Sequence, residues 1–303
     1  WGFAPLDNQD GVHFTRGEIT VLAAPSGGGK TSLALQAAAK TADILGQHSV
    51  AIASLEMSAN TLASIMAGTL LGIPSKWIRE KSSALSDKDR ADIADLERKW
   101  TSDQALFIRD NTVGPTARGL DAILAWIRFR HMVSNGKLQL AIIDHIHLVQ
   151  RPPKSSAIDW IEHCSGMIKA CAAELNIPIL VLAQMTKDGA RAMKDNKSGK
   201  VTGTPEPVLQ DLRGAAALGN DAAQVVFVHD VQAGRDSQDP SRRVRILVRK
   251  NRYGRCAGYD AIFHARQQRF APAEPRMTPE QTNRAERLRQ EPNSKEDLFN
   301  ENA

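Results

Sequence analysis

A glycine-rich stretch near the N-terminus, VLAAPSGGGKTSLAL (residues 21–35), carries the residue types that bind phosphate. Consecutive glycines let backbone N–H groups point inward, and a helix that begins directly after them adds unpaired N–H groups and a partial positive charge. Lys30 adds a full charge, and Thr31 adds a hydroxyl that can bind Mg²⁺. The spacing fits the phosphate-loop pattern, with alanine at the usual first glycine. The predicted phosphate-binding residues are Ala24, Pro25, Ser26, Gly27, Gly28, Gly29, Lys30, Thr31 and Ser32.

Polar side chains at the ends of three apolar segments supply further groups that phosphoryl transfer needs. Asp144 ends LAIID, where an acid can hold Mg²⁺ together with Thr31. Glu56 follows VAIASL, where a carboxylate can orient and deprotonate an attacking water. Gln184 ends ILVLAQ, where an amide can respond to a γ-phosphate. Each also has a plain structural interpretation: a surface strand end, a helix N-terminal acid and an exposed loop residue.

The segments that carry these residues alternate between strand-like and helix-like patterns. Continuous apolar runs such as ITVLAA and PILVLAQM are typical of buried strands, and helical periodicity fills the stretches between them. This alternation predicts an α/β fold with a mostly parallel sheet that is covered by helices on both faces. The strand ends of such a sheet meet at one edge, which brings the candidate residues together. The last three segments, AAQVVFVHD, RRVRILVRKNR and GYDAIFHARQQRF, lack intervening helices and are expected to be antiparallel.

Composition is that of a globular protein, with 42% hydrophobic and 24% charged residues and a net charge of +5. No apolar run reaches the roughly 18 residues that cross a membrane, so no membrane partner is expected. The three cysteines lack metal-ligand spacing, which favours a reducing compartment. The chain starts at Trp1 and not at methionine, which indicates a natural N-terminus further upstream. Residues 272–303 are polar and are predicted to form a disordered tail.

Five motifs in order, SLEM, IIDHIHLV, LAQM, DLRGAAAL and RKNRYG, resemble the RecA-like motor domain of DnaB-type hexameric replicative helicases. DHIHLV and DLRGAAAL are similar to bacteriophage primase-helicases and the mitochondrial replicative helicase, whereas SLEM and the Gln184 strand are closer to bacterial DnaB. The resemblance covers about residues 3–270 and implies a P-loop NTPase domain over residues 1–271. It implies ATP or another NTP and Mg²⁺ as cofactors, and a bacterial or phage-infected cytoplasm as the location in preference to mitochondria.

In the family that the chain resembles, ATP lies between adjacent subunits of a ring, usually a hexamer. The neighbour contributes a lysine and an arginine finger, and RKNR matches that element, so Lys250 and Arg252 are the predicted finger residues. An arginine suits this role because it stays charged and its planar fork matches phosphate oxygens. The segment SRRVRILVRKNRYGR contains seven basic residues and no acid. Its structural interpretation is a solvated basic strand.

The same resemblance places two loops in the path of single-stranded DNA through the ring. Positive charge in mobile loops suits phosphate contacts, which bind without reading sequence. Bacterial relatives have an acid after the arginine of DLRG, and this chain has Gly214 there. The predicted DNA-binding residues are Lys187, Arg191, Lys194, Lys197 and Lys200 in the first loop, and Arg213, Gly214 and Ala215 in the second.

The main hypothesis is therefore an ATP-dependent, ring-forming replicative helicase motor that translocates on single-stranded DNA, 5′-to-3′ by resemblance. Glu56, Lys30, Gln184, Lys250 and Arg252 are its predicted catalytic residues, with Thr31 and Asp144 as the metal ligands. One alternative is a RecA-like recombinase or mediator that forms filaments. Another is an ATP-gated DNA-binding or helicase-loading factor without unwinding activity. A primase, as a domain or separate protein, and a helicase loader are the further expected partners.

Overall fold

The structure, a computed structural model, describes residues 1–8, 12–110, 112, 114, 118–186, 193–194, 201–203, 205–231 and 241–273. Most of the predicted tail lies outside these residues. Within them, nine strands form one sheet and two short strands form a separate pair. The strands are β1 (Ile19–Ala24), β2 (Val50–Ser54), β3 (Leu106–Arg109), β4 (Leu140–Asp144), β5 (Ile179–Gln184), β6 (Met193–Lys194), β7 (Val201–Gly203), β8 (Gln224–Asp230), β9 (Ser241–Asn251), β10 (Gly258–His264) and β11 (Arg269–Pro272).

Helices fill the intervals between the parallel strands, as the sequence predicts. Ser58 caps α3 by accepting a hydrogen bond from Thr61 N–H, and Ser86 with Asp89 forms a capping box at the start of α5. None of the helices in the described ranges is long and apolar enough to cross a membrane. The helices are α1 (Ala4–Asp7), α2 (Lys30–Leu45), α3 (Ala59–Leu71), α4 (Ser75–Arg79), α5 (Asp87–Ser102), α6 (Leu120–Val133), α7 (Ala157–Leu175) and α8 (Ala215–Asp221).

The large sheet has the order β11-β10-β9-β8-β1-β5-β4-β2-β3. The six neighbouring strands from β8 to β3 run parallel, and β9, β10 and β11 add to them in antiparallel fashion. The predicted mostly parallel sheet is therefore confirmed. Since β1, β2, β4 and β5 run parallel, their carboxyl ends meet at one edge of the sheet.

Strand β8 differs from the sequence expectation, which made it antiparallel. It pairs in parallel with β1, from Thr20 opposite Gln224 to Ala23 opposite Phe227. The short helix α8 carries the chain back along the sheet before β8, and a crossover of this kind makes the next strand parallel. The last predicted segment also forms two strands, β10 and β11, because a turn over residues 265–268 divides it.

Side chains of the central strand alternate between two cores, one on each face of the sheet. Leu22 packs in a cluster with Leu33 of α2, while Val21 packs in a second cluster with Ile168 of α7. All six residues of β1 are buried. This two-sided burial explains the continuous apolar pattern of the parallel strands and holds their ends rigidly.

The C-terminal strand is tied to α2 by one buried amide. Gln36 accepts a hydrogen bond from Phe270 N–H at 2.7 Å and donates to Phe270 C=O at 3.0 Å. The same Nε2 donates to the carbonyl of Gly2 at 2.6 Å. Gln36 therefore joins the two ends of the domain to the helix that follows the phosphate loop.

Candidate functional site

The predicted phosphate loop connects the end of β1 to the start of α2. Gly27 and Gly29 have φ of 70° and 92°, a left-handed conformation that favours glycine. A Cβ atom on Gly29 would also lie 2.8 Å from the Phe270 ring. Ala24, which replaces the usual first glycine, is the last residue of β1. A strand conformation accepts alanine, so the departure from the motif leaves the loop intact.

A cavity of about 710 Å³ opens in front of this loop. The loop and the first turn of α2 form one wall, and α4 with the β10–β11 turn forms the opposite wall. A concave site of this size and charge suits a nucleotide, which is a polyanion. Among the described residues that line it, five are cationic: Lys30, Lys76, Arg79, Arg242 and Arg266.

Thr31, which lines the cavity, contacts Asp144 at the end of β4. The Thr31 hydroxyl donates a hydrogen bond to Asp144 Oδ2 at 3.1 Å. Burial raises the pKa of Asp144 to about 6, although Lys30 and the Thr31 hydrogen bond both lower it. The second carboxylate oxygen, Oδ1, is buried and has no hydrogen-bond partner among the described residues. An unpartnered carboxylate oxygen beside a hydroxyl, near Lys30, fits the oxygen ligands that Mg²⁺ prefers.

Glu56 and Gln184 lie on either side of His145, the residue after Asp144. Glu56 lines the cavity and is half-exposed, and its Oε2 lies 3.7 Å from His145 Nε2. The Gln184 amide Nε2 lies 3.3 Å from the same imidazole nitrogen. Burial, with Lys30 and Arg213, lowers the pKa of His145 to about 4, so the ring is neutral. The neutral ring nitrogen can therefore accept the hydrogen bond that the amide donates.

Gln184 also contacts the predicted DNA-binding loop. Arg213 N–H donates to Gln184 C=O at 3.0 Å, and Arg213 Nη1 lies 3.5 Å from Gln184 Oε1. Gly214, the next residue, has a φ of 81°, and a Cβ there would lie 2.7 Å from Ile161 Cγ2. Glycine is therefore required where the sequence comparison expects an acid. The structure thus joins the end of β5 to the start of the DLRG loop.

The two predicted finger residues lie at the end of β9, where they contact α8, and away from this cavity. Lys250 Nζ donates to the carbonyls of Gly219 and Asn220 at 2.6 and 3.1 Å. Arg252 donates to Asn220 C=O at 2.8 Å and lies 3.8 Å from Glu18. These carbonyls belong to the C-terminal end of α8, where cations are favourable. Neither residue lines the cavity in front of this chain's own phosphate loop.

Arg242 is a cavity residue that the motif search missed. Its Nη2 donates to Gly27 C=O at 2.6 Å, its Nη1 lies 3.1 Å from Asp230 Oδ2, and its guanidinium lies over the Phe263 ring. The alternation of β9 contained a signal for it, because Arg242 shares a face with the buried Val244. An arginine on the apolar face of a strand indicates a specific partner.

Several predicted DNA-binding residues lie outside the described ranges. Lys187, Arg191, Lys197 and Lys200 belong to this group. For Lys194 the structure gives the backbone, in β6, and for Ala215 it gives the first position of α8. The grouping of the first basic loop therefore stays a prediction, whereas Arg213 is placed beside Gln184.

Comparison with protein families decides the assignment. The family described as "DnaB-like helicase C terminal domain" matches residues 1–272. The chain belongs to this family. The resemblance inferred from the five motifs is thereby confirmed, and DnaB-like helicases hydrolyse nucleotides. The residues that meet at the strand ends, Asp144, Glu56 and Gln184, are those that the sequence predicted for phosphoryl transfer, and their roles stay predictions.

Curated relatives of this DnaB-like domain include replicative helicases of several bacteria. A probable plasmid replicative DNA helicase of Chlamydia trachomatis is 25% identical over 266 residues, which cover 87% of this chain and 52% of the relative. The replicative DNA helicase DnaB of Treponema pallidum is 28% identical over 275 residues, covering 90% and 56%. The chain thus spans about half the length of the curated relatives that it matches.

Solved structures support the RecA-like fold. A DnaB-like replicative helicase, described with its interactions with primase, superposes with a TM-score of 0.74 at 22% identity, covering 90% of this chain and 61% of the other. A KaiC-like protein of Pyrococcus horikoshii has a TM-score of 0.59 at 16% identity, covering 90% and 97%. The predicted fold class is therefore confirmed.

Proposed function

We propose that this DnaB-like domain is the ATP-driven motor of a ring-forming replicative DNA helicase that moves 5′-to-3′ on single-stranded DNA. The observation that carries the proposal is the meeting of Thr31 and Asp144 beside the phosphate loop, in a chain of this family. Family membership favours this hypothesis over the recombinase and loader alternatives. The connection from Gln184 to Arg213 supports a motor, because a motor must couple its ATP site to its DNA site.

The side chains at the strand ends divide the work of hydrolysis. Lys30 and the loop N–H groups bind the β- and γ-phosphates, and Thr31 with Asp144 would hold Mg²⁺. The ion, when bound, neutralises charge on the phosphate oxygens. Glu56, at the mouth of the cavity, orients the attacking water and takes its proton. Gln184 changes position when the γ-phosphate is released, and its hydrogen bonds to Arg213 transmit this movement to the DLRG loop.

Lys250 and Arg252 act on the nucleotide of a neighbouring subunit. Their hydrogen bonds to α8 carbonyls, outside this chain's own cavity, support that role. A hexameric ring of such subunits would carry single-stranded DNA along Arg213, Gly214, Ala215 and the first basic loop. Contacts of this kind bind the DNA backbone and not particular bases. The ring would work in a bacterial or phage-infected cytoplasm, with a primase and a loader as partners.

Hydrolysis measured against protein concentration tests the proposal. Turnover should rise steeply with concentration and increase further with single-stranded DNA, because each site needs a second subunit. Arg252→Ala should lower kcat about 10³-fold at every concentration. Arg255→Ala, an exposed arginine three residues further on, serves as the matched control and should behave as the native chain. Turnover that is flat in concentration and indifferent to Arg252 would overturn the shared site.

A further inference from the structure

His147 contacts both the end of β5 and the DLRG loop, and none of the roles described above was assigned to it. It lies in the 3-10 turn Ile146–Leu148 that follows β4. Its Nδ1 accepts a hydrogen bond from Gln184 N–H at 3.4 Å, and its Nε2 lies 3.2 Å from the carbonyl oxygen of Arg213. A carbonyl only accepts hydrogen bonds, so the proton is on Nε2. One neutral imidazole therefore bridges the end of β5 and the DLRG loop.

This bridge strengthens a chain of contacts that begins at the cavity. Glu56 lies beside His145, the Gln184 amide lies between His145 and Arg213, and Gln184 and Arg213 share a backbone hydrogen bond. The amide is oriented at both ends, because its NH₂ faces an imidazole nitrogen and its oxygen faces a guanidinium. With His147 in place, the end of β5 and the carbonyl of Arg213 are held at a fixed separation.

Burial of the His147 ring agrees with this geometry. Burial lowers the pKa of His147 to about 4, against the hydrogen bond to Arg213 that raises it, and the positive charge of Arg213 lowers it further. The imidazole therefore stays neutral, and Nδ1 remains an acceptor for Gln184 N–H. A protonated ring would lose that acceptor.

We propose that His147 is a positioning residue that transmits the state of the nucleotide cavity to the DNA-binding loop, by holding the Arg213 carbonyl to the end of β5. The proposal rests on the proposed function, since it concerns how that motor couples its two sites. Without the bridge, the direct contacts between Arg213 and Gln184 remain, but the Arg213 carbonyl is no longer held to the end of β5, so Arg213 follows Gln184 less closely. The effect expected is a loss of coupling and not a loss of binding.

Two substitutions separate the halves of the bridge. In His147→Gln the side-chain amide can reach the position of Nε2 and donate to the Arg213 carbonyl. In His147→Asn the shorter amide can accept from Gln184 N–H but does not reach Arg213. Each substitution breaks one half of the bridge, so both His147→Asn and His147→Gln should lose coupling. His163→Asn, at an exposed histidine of α7, is the matched control.

The readout is the affinity for a fluorescent oligothymidylate in the presence of a non-hydrolysable ATP analogue or of ADP, together with the ratio of DNA-stimulated to basal ATP hydrolysis. In both His147 variants the affinity ratio between the two nucleotides and the stimulation should fall about fivefold or more, the scale of one coupling hydrogen bond. His163→Asn should stay within about twofold of the native chain.

Three results would overturn the proposal. The first is a native affinity ratio in His147→Asn. The second is DNA affinity that falls equally with both nucleotides in His147→Asn and His147→Gln, together with a lower Tm, since this identifies a purely structural residue. The third is a native chain whose DNA affinity ignores the nucleotide. Failure of the helicase proposal itself is distinguishable, because it removes the dependence of turnover on Arg252 and on concentration.

Discussion

Asp144 combines two demands that oppose each other. Its carboxylate is buried beside Lys30 and Thr31, and burial raises its pKa to about 6 from an ordinary value of 3.8. Because its pKa is higher in the folded than in the unfolded state, ionisation of Asp144 lowers the free energy of unfolding above pH 6. This loss of stability disappears as pH falls towards 4. The charged carboxylate is nevertheless the form that binds Mg²⁺, so the site gives up stability for function.

Replacement of Asp144 by asparagine should therefore stabilise the protein while it abolishes turnover. In Asp144→Asn, without nucleotide or metal, we expect stability at pH 8 to rise by roughly 2–3 kcal/mol, the scale of a shift from 3.8 to about 6. The gain should disappear near pH 4, where the native carboxylate is protonated. Urea unfolding across pH checks this, and a gain that is constant with pH would contradict it.

Substitution of Glu56 should separate binding from chemistry. Glu56→Gln keeps the shape of the side chain but cannot take a proton, so kcat should fall about 10²-fold or more while ATP still binds. Calorimetric titration with ATP and single-turnover hydrolysis measure the two effects. Glu97→Gln, at an exposed glutamate of α5, is the control. Native turnover in Glu56→Gln would remove Glu56 from its assigned role.

Among the secondary-structure elements, β11 depends on α2 for its position. β11 is an edge strand that pairs only with β10 in the described sheet, and Gln36 satisfies both backbone groups of Phe270. In Gln36→Ala these buried groups lose their partner, which should cost about 2–4 kcal/mol of unfolding free energy. Urea denaturation measures it, with the exposed Gln47→Ala as the control. If Gln36→Ala lowers the unfolding free energy by less than about 0.5 kcal/mol, as surface substitutions do, contacts other than those of Gln36 hold β11 in place.

The secondary-structure elements also show which parts of the fold the sequence predicts. Continuous apolar runs and helical periodicity predicted the strands from β1 to β5 and the longer helices between them, but not the short helices α1 and α4. Burial on both faces of a sheet and helical periodicity are local properties of the sequence. β8 was assigned the wrong direction, because helix α8 is only seven residues long and lacks a clear period. Strand direction depends on the path of the connection, which periodicity does not contain.

The site was predictable where a residue type marks a strand end, as for Asp144, Glu56 and Gln184. Arg242 and His147 were missed because their roles depend on contacts between distant parts of the chain. Arg242 reaches the carbonyl of Gly27, and His147 reaches the carbonyl of Arg213. Backbone carbonyls are the same at every residue, so no sequence pattern identifies them as partners.

On the scale of the whole molecule, a site shared between subunits can be tested by mixing two inactive variants. Arg252→Ala retains Glu56, and Glu56→Gln retains the finger, so some contacts in a mixed ring combine an intact Glu56 with an intact Arg252. When the two variants mix randomly in equal amounts, roughly a quarter of all subunit contacts are of this intact kind. We expect hydrolysis to reappear on mixing, at about that fraction of the native rate or below.

The controls for this experiment are each variant alone and a mixture of two preparations of Arg252→Ala. Hydrolysis that equals the sum of the separate variants would show that Glu56 and Arg252 act within one chain. The result does not depend on which way the ring moves on DNA. It therefore tests assembly separately from translocation.

The contact between Gly29 and the ring of Phe270 has a consequence during translation. The phosphate loop is among the first parts of the domain to leave the ribosome, and Phe270 is among the last. At about 5–20 residues per second, the loop waits on the order of ten seconds or more for the ring that packs against Gly29. β1 waits as well, since both of its partners, β5 and β8, are synthesised after it. A nascent chain that still lacks residues 263–268 therefore lacks one wall of the nucleotide cavity, and we expect it to bind ATP more weakly than a finished subunit.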